Sequence, residues 1–217
     1  MHPVAPSGPG WSKAWQSRAF RMLSLGTITA TVVLVLCLPL YFNQVILPKP
    51  GVVLKDPLMD WLPAANCSWP IFLIIYGTVA WTAFANRSQP VLLLSGLMTY
   101  LLVSIARLVT MYMFTLEPPP GMILLGDPVI NRLAYGSDSF AKDLFFSGHS
   151  STLTILVMLS QHKWVRIIMI LCLVAVGLML IAQRVHYTVD IVTGIAVTWC
   201  VFALVHHMLA REFKRLQ

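Results

Sequence analysis

Asp143-Leu144-Phe145-Phe146-Ser147-Gly148-His149-Ser150 and His186-Tyr187-Thr188-Val189-Asp190 are two short polar segments set in an otherwise apolar chain. Each places a histidine at the end of an apolar run of membrane length, where an ionisable group is costly to keep. The 217-residue sequence is 58% hydrophobic and 11% charged, with a mean hydropathy of +0.77. An ordinary soluble domain carries about 25% charged residues. Composition therefore indicates an integral, multi-pass membrane protein built as one domain.

A spanning helix needs roughly 20 apolar residues. Six stretches qualify, at about 22–46, 67–85, 90–114, 144–161, 165–184 and 188–209. The predicted fold is an all-α membrane protein, a six-transmembrane helix bundle occupying residues 22–210. A basic interfacial segment, 1–21, precedes it and a basic tail, 211–217, follows. Between Trp11 and Arg21 aromatics alternate with cations, as in a short helix lying in the headgroup layer. The first apolar run is long enough to span and no small-residue cleavage site follows it, so no signal peptide is expected. Asn86-Arg87-Ser88-Gln89-Pro90 and Gln161-His162-Lys163-Trp164 make tight connections, whereas 47–66 and 115–143 form longer polar loops.

Charge sets the orientation. With six spans both termini share one side, which then holds nine of the fifteen Lys and Arg residues. Six of the eight acids fall in the opposite loops. The positive-inside rule makes the termini cytoplasmic. It puts both histidine segments on the non-cytoplasmic face, of a bacterial plasma membrane or, in a eukaryote, of the Golgi or plasma membrane. The net charge of +7 is thus topological and implies no nucleic-acid partner. The four cysteines form no CxxC pair and read as small apolar residues.

Three polar elements converge at one depth in this topology. His149 starts the fourth span, His186 sits at the junction of the fifth and sixth, and Arg107 lies about 17 residues, or roughly 26 Å, into the third. His186 and Asp190, at i and i+4, are expected on one helical face. A carboxylate beside an imidazole fixes its tautomer and stabilises the imidazolium. The other ring nitrogen is then a nucleophile, and His149 is placed to protonate a leaving oxygen. Ser147 and Gly148 precede His149 at a helix start, where backbone N–H groups bind phosphate oxygens. Arg107, and with it Arg184 or Lys142, supplies positive charge for the same anion. Other readings of these residues are histidines hydrogen-bonded between helices, a zinc site, a Ser147-based hydrolase and a proton relay. Neither HExxH nor a third well-spaced histidine supports zinc. Ser147 and His149, at i and i+2, do not face each other on a helix. No metal and no cofactor is expected.

Ser147-Gly148-His149 followed by His186-x-x-x-Asp190 resembles the PAP2-like lipid phosphatase superfamily, and within it the sphingomyelin synthase branch. That branch carries Asp-x3-Ser-Gly-His-Thr and His-Tyr-Thr-x-Asp motifs. Arg107-Leu108-Val109-Thr110-Met111-Tyr112, continuing to Leu116-Glu117-Pro118-Pro119-Pro120-Gly121, is similar to a third motif, and Pro57-Leu58-Met59-Asp60 to a fourth. The resemblance covers about 50–210. It implies six helices and an outward-facing site in which His186 is the nucleophile, Asp190 its partner and His149 the acid/base. Asp143 and Tyr187 match motif positions near the headgroup. It implies transfer of a phosphocholine or phosphoethanolamine headgroup from a donor phospholipid to ceramide or diacylglycerol through a phosphohistidine. A phospholipase C-like or lipid phosphate phosphatase activity is the alternative on the same residues. The sequence departs from the branch where Ala141-Lys142 replaces Cys-Gly and Ser150 replaces Thr. Met179 stands seven residues before His186, where the phosphatase signature has arginine.

Overall fold

The computed structural model describes residues 9–126, 142 and 144–213. Helix α1, Trp11–Gln16, is followed by α2, Arg18–Tyr41, which starts on a Ser17 cap and runs on into a π-helical turn at Phe42–Ile46. Pro39 cannot donate to the helical ladder just before that widening. A short α3, Pro57–Trp61, lies in the first long loop. Then come α4, Ser68–Ala85, and α5, Pro90–Met113, joined by the expected tight turn, with Pro90 in the first turn where its missing N–H costs nothing. The remaining helices among the described residues are α6, Gly148–Leu159, α7, Lys163–Ala182, and α8, Thr188–Phe213.

Among the described residues five helices are long and apolar enough to cross a membrane: Arg18–Ile46, Ser68–Ala85, Pro90–Met113, Lys163–Ala182 and Thr188–Phe213. The fourth expected span, 144–161, is shorter than its hydropathy suggests. Residues 144–147 are not helical, and Ser147 Oγ caps the helix by accepting from Ser150 N at 3.4 Å. The 12-residue α6 is about 18 Å long. It is sheathed by α4, α5, α7 and α8, and 7 of its 12 residues are buried. Its apolar surface therefore meets protein on most sides, whereas α2 is the least enclosed helix and turns Ile28, Val32, Leu36 and Leu40 outward.

Close helix contact depends on two glycines. A Cβ on Gly96 of α5 would lie 2.7 Å from Leu159 Cδ1 of α6. A Cβ on Gly194 of α8 would lie 2.8 Å from the Ser147 carbonyl oxygen and 2.7 Å from Ser150 Oγ. Trp11–Gln16, within the aromatic–cation stretch, is helical and packs on protein. Ala14 and Phe20 join Leu94, Val205, Leu209 and Phe213 in one apolar cluster. Phe20 and Phe213 meet edge-to-face at 6.0 Å, and Trp11 Nε1 donates to the Arg87 carbonyl at 2.6 Å. The start of α2, the end of α8 and the α4–α5 turn thus share one end of the bundle. The histidine segments occupy the other end, where Tyr187 Oη meets the described loop residues Leu54 and Glu117.

Candidate active site

Three helix ends build the site. α5 brings Arg107 near its C-terminus, α6 brings Ser147, Gly148 and His149 at its N-terminus, and α8 brings His186, Tyr187 and Asp190 at its N-terminus. Ser147 N donates to the Asp190 carbonyl at 3.0 Å, so the starts of α6 and α8 are fastened together. The His149 and His186 rings lie 5.8 Å apart between centroids, inclined at 65°. Phe72 of α4 also meets His149 edge-to-face, at 6.1 Å.

His186 Nδ1 faces Asp190 Oδ2 at 3.5 Å, with side chains 3% and 0% exposed. That distance exceeds a normal hydrogen bond, although catalytic bonds in a substrate-free site are often long. The two residues do not share a helical face, because α8 starts only at Thr188. His186 lies in the turn before it, and Asp190 reaches back from the third helical position to accept from Tyr187 N at 2.9 Å. This is half of a capping box. It keeps the i, i+4 proximity by another route and aims the second imidazole nitrogen of His186 away from the carboxylate.

Arg107 is held by its Nε, which donates to the Phe146 carbonyl at 2.7 Å. Its guanidinium lies against Gly148, where a Cβ would be 2.6 Å from Nη1 and 2.8 Å from Cζ. A side chain at position 148 would displace the cation. Arg107, Gly148, Ser147, His149, His186 and Asp190 are therefore brought together, with the N-terminal amides and positive end of α6 beside them.

Other expected residues sit farther out. Lys142 Nζ pairs with Glu117 Oε1 at 2.7 Å and donates to the Lys49 carbonyl at 2.9 Å. The hydrogen bond from Lys142 holds the Glu117 carboxyl below its ordinary value. Arg184 Nη1 donates to the Pro120 carbonyl at 2.8 Å, beside Gly121. Its own backbone takes a positive φ of 58° in a Schellman-type ending of α7, with Arg184 N bonded to Ile181 O and Val185 N to Leu180 O. Both cations thus brace loops, and no hydrogen bond among the described residues ties either one to the histidine pair. Tyr187 is buried, and its hydroxyl accepts from Leu54 N at 3.2 Å and donates to the Glu117 carbonyl at 3.1 Å. Burial pushes its phenol above the ordinary value. Asp143 lies outside the described residues. No group of three His, Cys, Asp or Glu side chains arranged for a metal occurs among the described residues.

Two bracing residues are not evident from the sequence. Gln183, fully buried, accepts from Cys67 N at 2.9 Å and donates to Ser68 Oγ at 2.8 Å and to the Leu124 carbonyl at 3.2 Å. It stitches the start of α4 and the described part of the loop after α5 to the end of α7. Asp56 accepts from Thr188 N at 2.5 Å and from Thr188 Oγ1 at 2.9 Å. The only local signal for Gln183 is an amide closing an apolar run three residues before His186; Asp56, directly before Pro57, reads locally as the cap of α3 and nothing local points to Thr188.

Residues 142–208 match the family model described as PAP2 superfamily C-terminal. The matched segment spans the histidine of α6 and the His186–Asp190 turn. It supports the PAP2 superfamily, and with it an enzyme of phosphatase or phosphotransferase type acting on lipid phosphoesters in a membrane. No curated protein matches the chain.

Proposed function

We propose that this protein is a phospholipid headgroup transferase. It moves a phospho-headgroup, phosphocholine or phosphoethanolamine, from a glycerophospholipid to ceramide or diacylglycerol. The observation that carries this reading is the paired imidazoles, 5.8 Å apart, with a buried carboxylate behind one and a fixed guanidinium at the helix start that bears the other.

In the first step the His186 nitrogen remote from Asp190 attacks phosphorus, and the bond from phosphorus to the diacylglycerol oxygen breaks. His149, protonated, gives its proton to that oxygen, so diacylglycerol leaves neutral. Asp190 stabilises the positive charge that His186 acquires, as a buried carboxylate does for an imidazole. Arg107 and the first amides of α6 carry the phosphoryl oxygens. In the second step neutral His149 takes the proton of the acceptor alcohol, whose oxygen attacks phosphorus and releases His186. Water in place of the alcohol makes the same site a phospholipase C-like hydrolase. The positive-inside bias supports a non-cytoplasmic site and cytoplasmic termini.

The test is turnover by the purified chain with labelled ceramide and diacylglycerol in mixed phosphatidylcholine, phosphatidylethanolamine and phosphatidylinositol, read by mass spectrometry. A new phosphosphingolipid or phosphoglyceride, lost in His186→Ala, is expected. Diacylglycerol released with no transfer product assigns water as acceptor, and full transfer by His186→Ala refutes the mechanism.

A further inference from the structure

The first N–H groups of a helix need partners from outside it, and α8 has no ordinary N-cap side chain to offer one. Its capping position is occupied by Tyr187, whose hydroxyl is engaged with Leu54 and Glu117. Asp190 satisfies the Tyr187 amide from within the helix. The partner for Thr188 comes from 132 residues away. Asp56 Oδ2 accepts from Thr188 N at 2.5 Å and Oδ1 accepts from Thr188 Oγ1 at 2.9 Å. The same Oδ1 also accepts from Leu58 N at 3.2 Å and Met59 N at 3.3 Å, at the start of α3. One carboxylate thus joins two helix starts, each of which favours negative charge. Thr188 is two residues from His186 and two from Asp190.

We propose that Asp56 is a positioning residue for the reaction, a cap supplied in trans that fixes the start of α8 and so the approach of His186 to phosphorus. The proposal rests on the reading of His186 as nucleophile. Removing the cap lets the first turn fray without touching any group that contacts substrate. Its signature is a loss in kcat with KM retained.

The test compares wild type, Asp56→Ala, Asp56→Asn, Thr188→Val and the Asp56→Ala/Thr188→Val pair, as the full chain in lipid nanodiscs with headgroup-labelled phospholipids. Activity is normalised to folded protein. Asp56→Ala is expected to lower kcat about 10- to 100-fold, the scale of a misplaced reacting group, with KM within about threefold. Asp56→Asn restores part of the rate, because its amide oxygen still accepts one N–H. The double variant is no slower than Asp56→Ala, because both changes break one interaction. An unchanged kcat, or a loss confined to KM, overturns the proposal. If Asp56→Ala does not fold, Asp56→Asn and Thr188→Val carry the same comparison. A second readout, amide hydrogen exchange of the peptide bearing His186 and the first turn of α8, is independent of turnover. If wild type turns over no phospholipid, the functional reading fails while the cap is still decided: faster exchange there in Asp56→Ala and Thr188→Val supports it and unchanged exchange overturns it.

Discussion

Gly148→Ala separates activity from folding. The added Cβ would lie 2.6 Å from Arg107 Nη1, 2.8 Å from Cζ and 3.2 Å from Nη2. A comfortable contact is about 3.5 Å or more, so the guanidinium must retreat by about 1 Å. It is the tip of a flexible side chain, and Gly148 opens a helix, where alanine is no worse than glycine. The stability change is therefore expected to stay within about 1 kcal/mol. Arg107 Nε is anchored on the Phe146 carbonyl at 2.7 Å, so the displaced head cannot simply slide back to the phosphoryl group. A 1 Å misplacement costs about 100-fold, or about 2.7 kcal/mol of transition-state stabilisation. Headgroup turnover and thermal unfolding, measured on the same nanodisc preparation, check both halves. Arg107→Ala should lose at least as much activity, and Gly148→Ala should add nothing to it. Full activity in Gly148→Ala, or a loss matched by loss of folded protein, refutes the reasoning.

Gly194→Ala should do the reverse, because its Cβ would meet the Ser147 backbone oxygen at 2.8 Å and backbone cannot swing aside. A loss of about 1–3 kcal/mol in unfolding free energy is expected, read by denaturant titration in detergent. Gln183→Leu strands Cys67 N and leaves the Ile123 and Leu124 carbonyls without their side-chain donor. A cost of roughly 2–4 kcal/mol follows, with faster proteolysis of the loops before α4 and after α5. The Lys142 hydrogen bond depresses the Glu117 pKa below its ordinary 4.5. Its stabilising contribution is therefore complete above about pH 4.5 and is lost as pH falls through the lower, folded value. Unfolding midpoints scanned downward from about pH 6 should show that step in wild type, and it should be missing in Glu117→Gln.

Ionisable residues in apolar runs made the site legible. His149, His186, Asp190 and Arg107 each violate the hydropathy around them, and the structure gathers all four at one end of the bundle. The five long helices follow from hydropathy to within a few residues at their ends, the largest departures being the earlier start of α2 at Arg18 and the later end of α8 at Phe213. The length of α6 does not, because an apolar helix sheathed by protein reads like one sheathed by lipid. The His186–Asp190 spacing suggested a helical face, whereas proximity comes from a capping turn, since Asp190 bonds Tyr187 N. The placement of Lys142 on Glu117, and the reach of Asp56 to Thr188 and of Gln183 to Cys67, are long-range pairings of loops. No local periodicity encodes them. Each is a buried or half-buried polar group finding a partner at the top of the bundle, and only the folded helix ends decide which partner.

The most direct measurement is the covalent intermediate. Wild type, His186→Ala and His149→Ala are mixed with a phospholipid labelled in its phosphate, quenched in alkali within a turnover and digested. Label is expected on the peptide bearing His186, stable to alkali and labile to acid as a phosphoramidate is, absent in His186→Ala and released on adding ceramide or diacylglycerol. Label on another residue, or undiminished turnover in His186→Ala, would contradict the account.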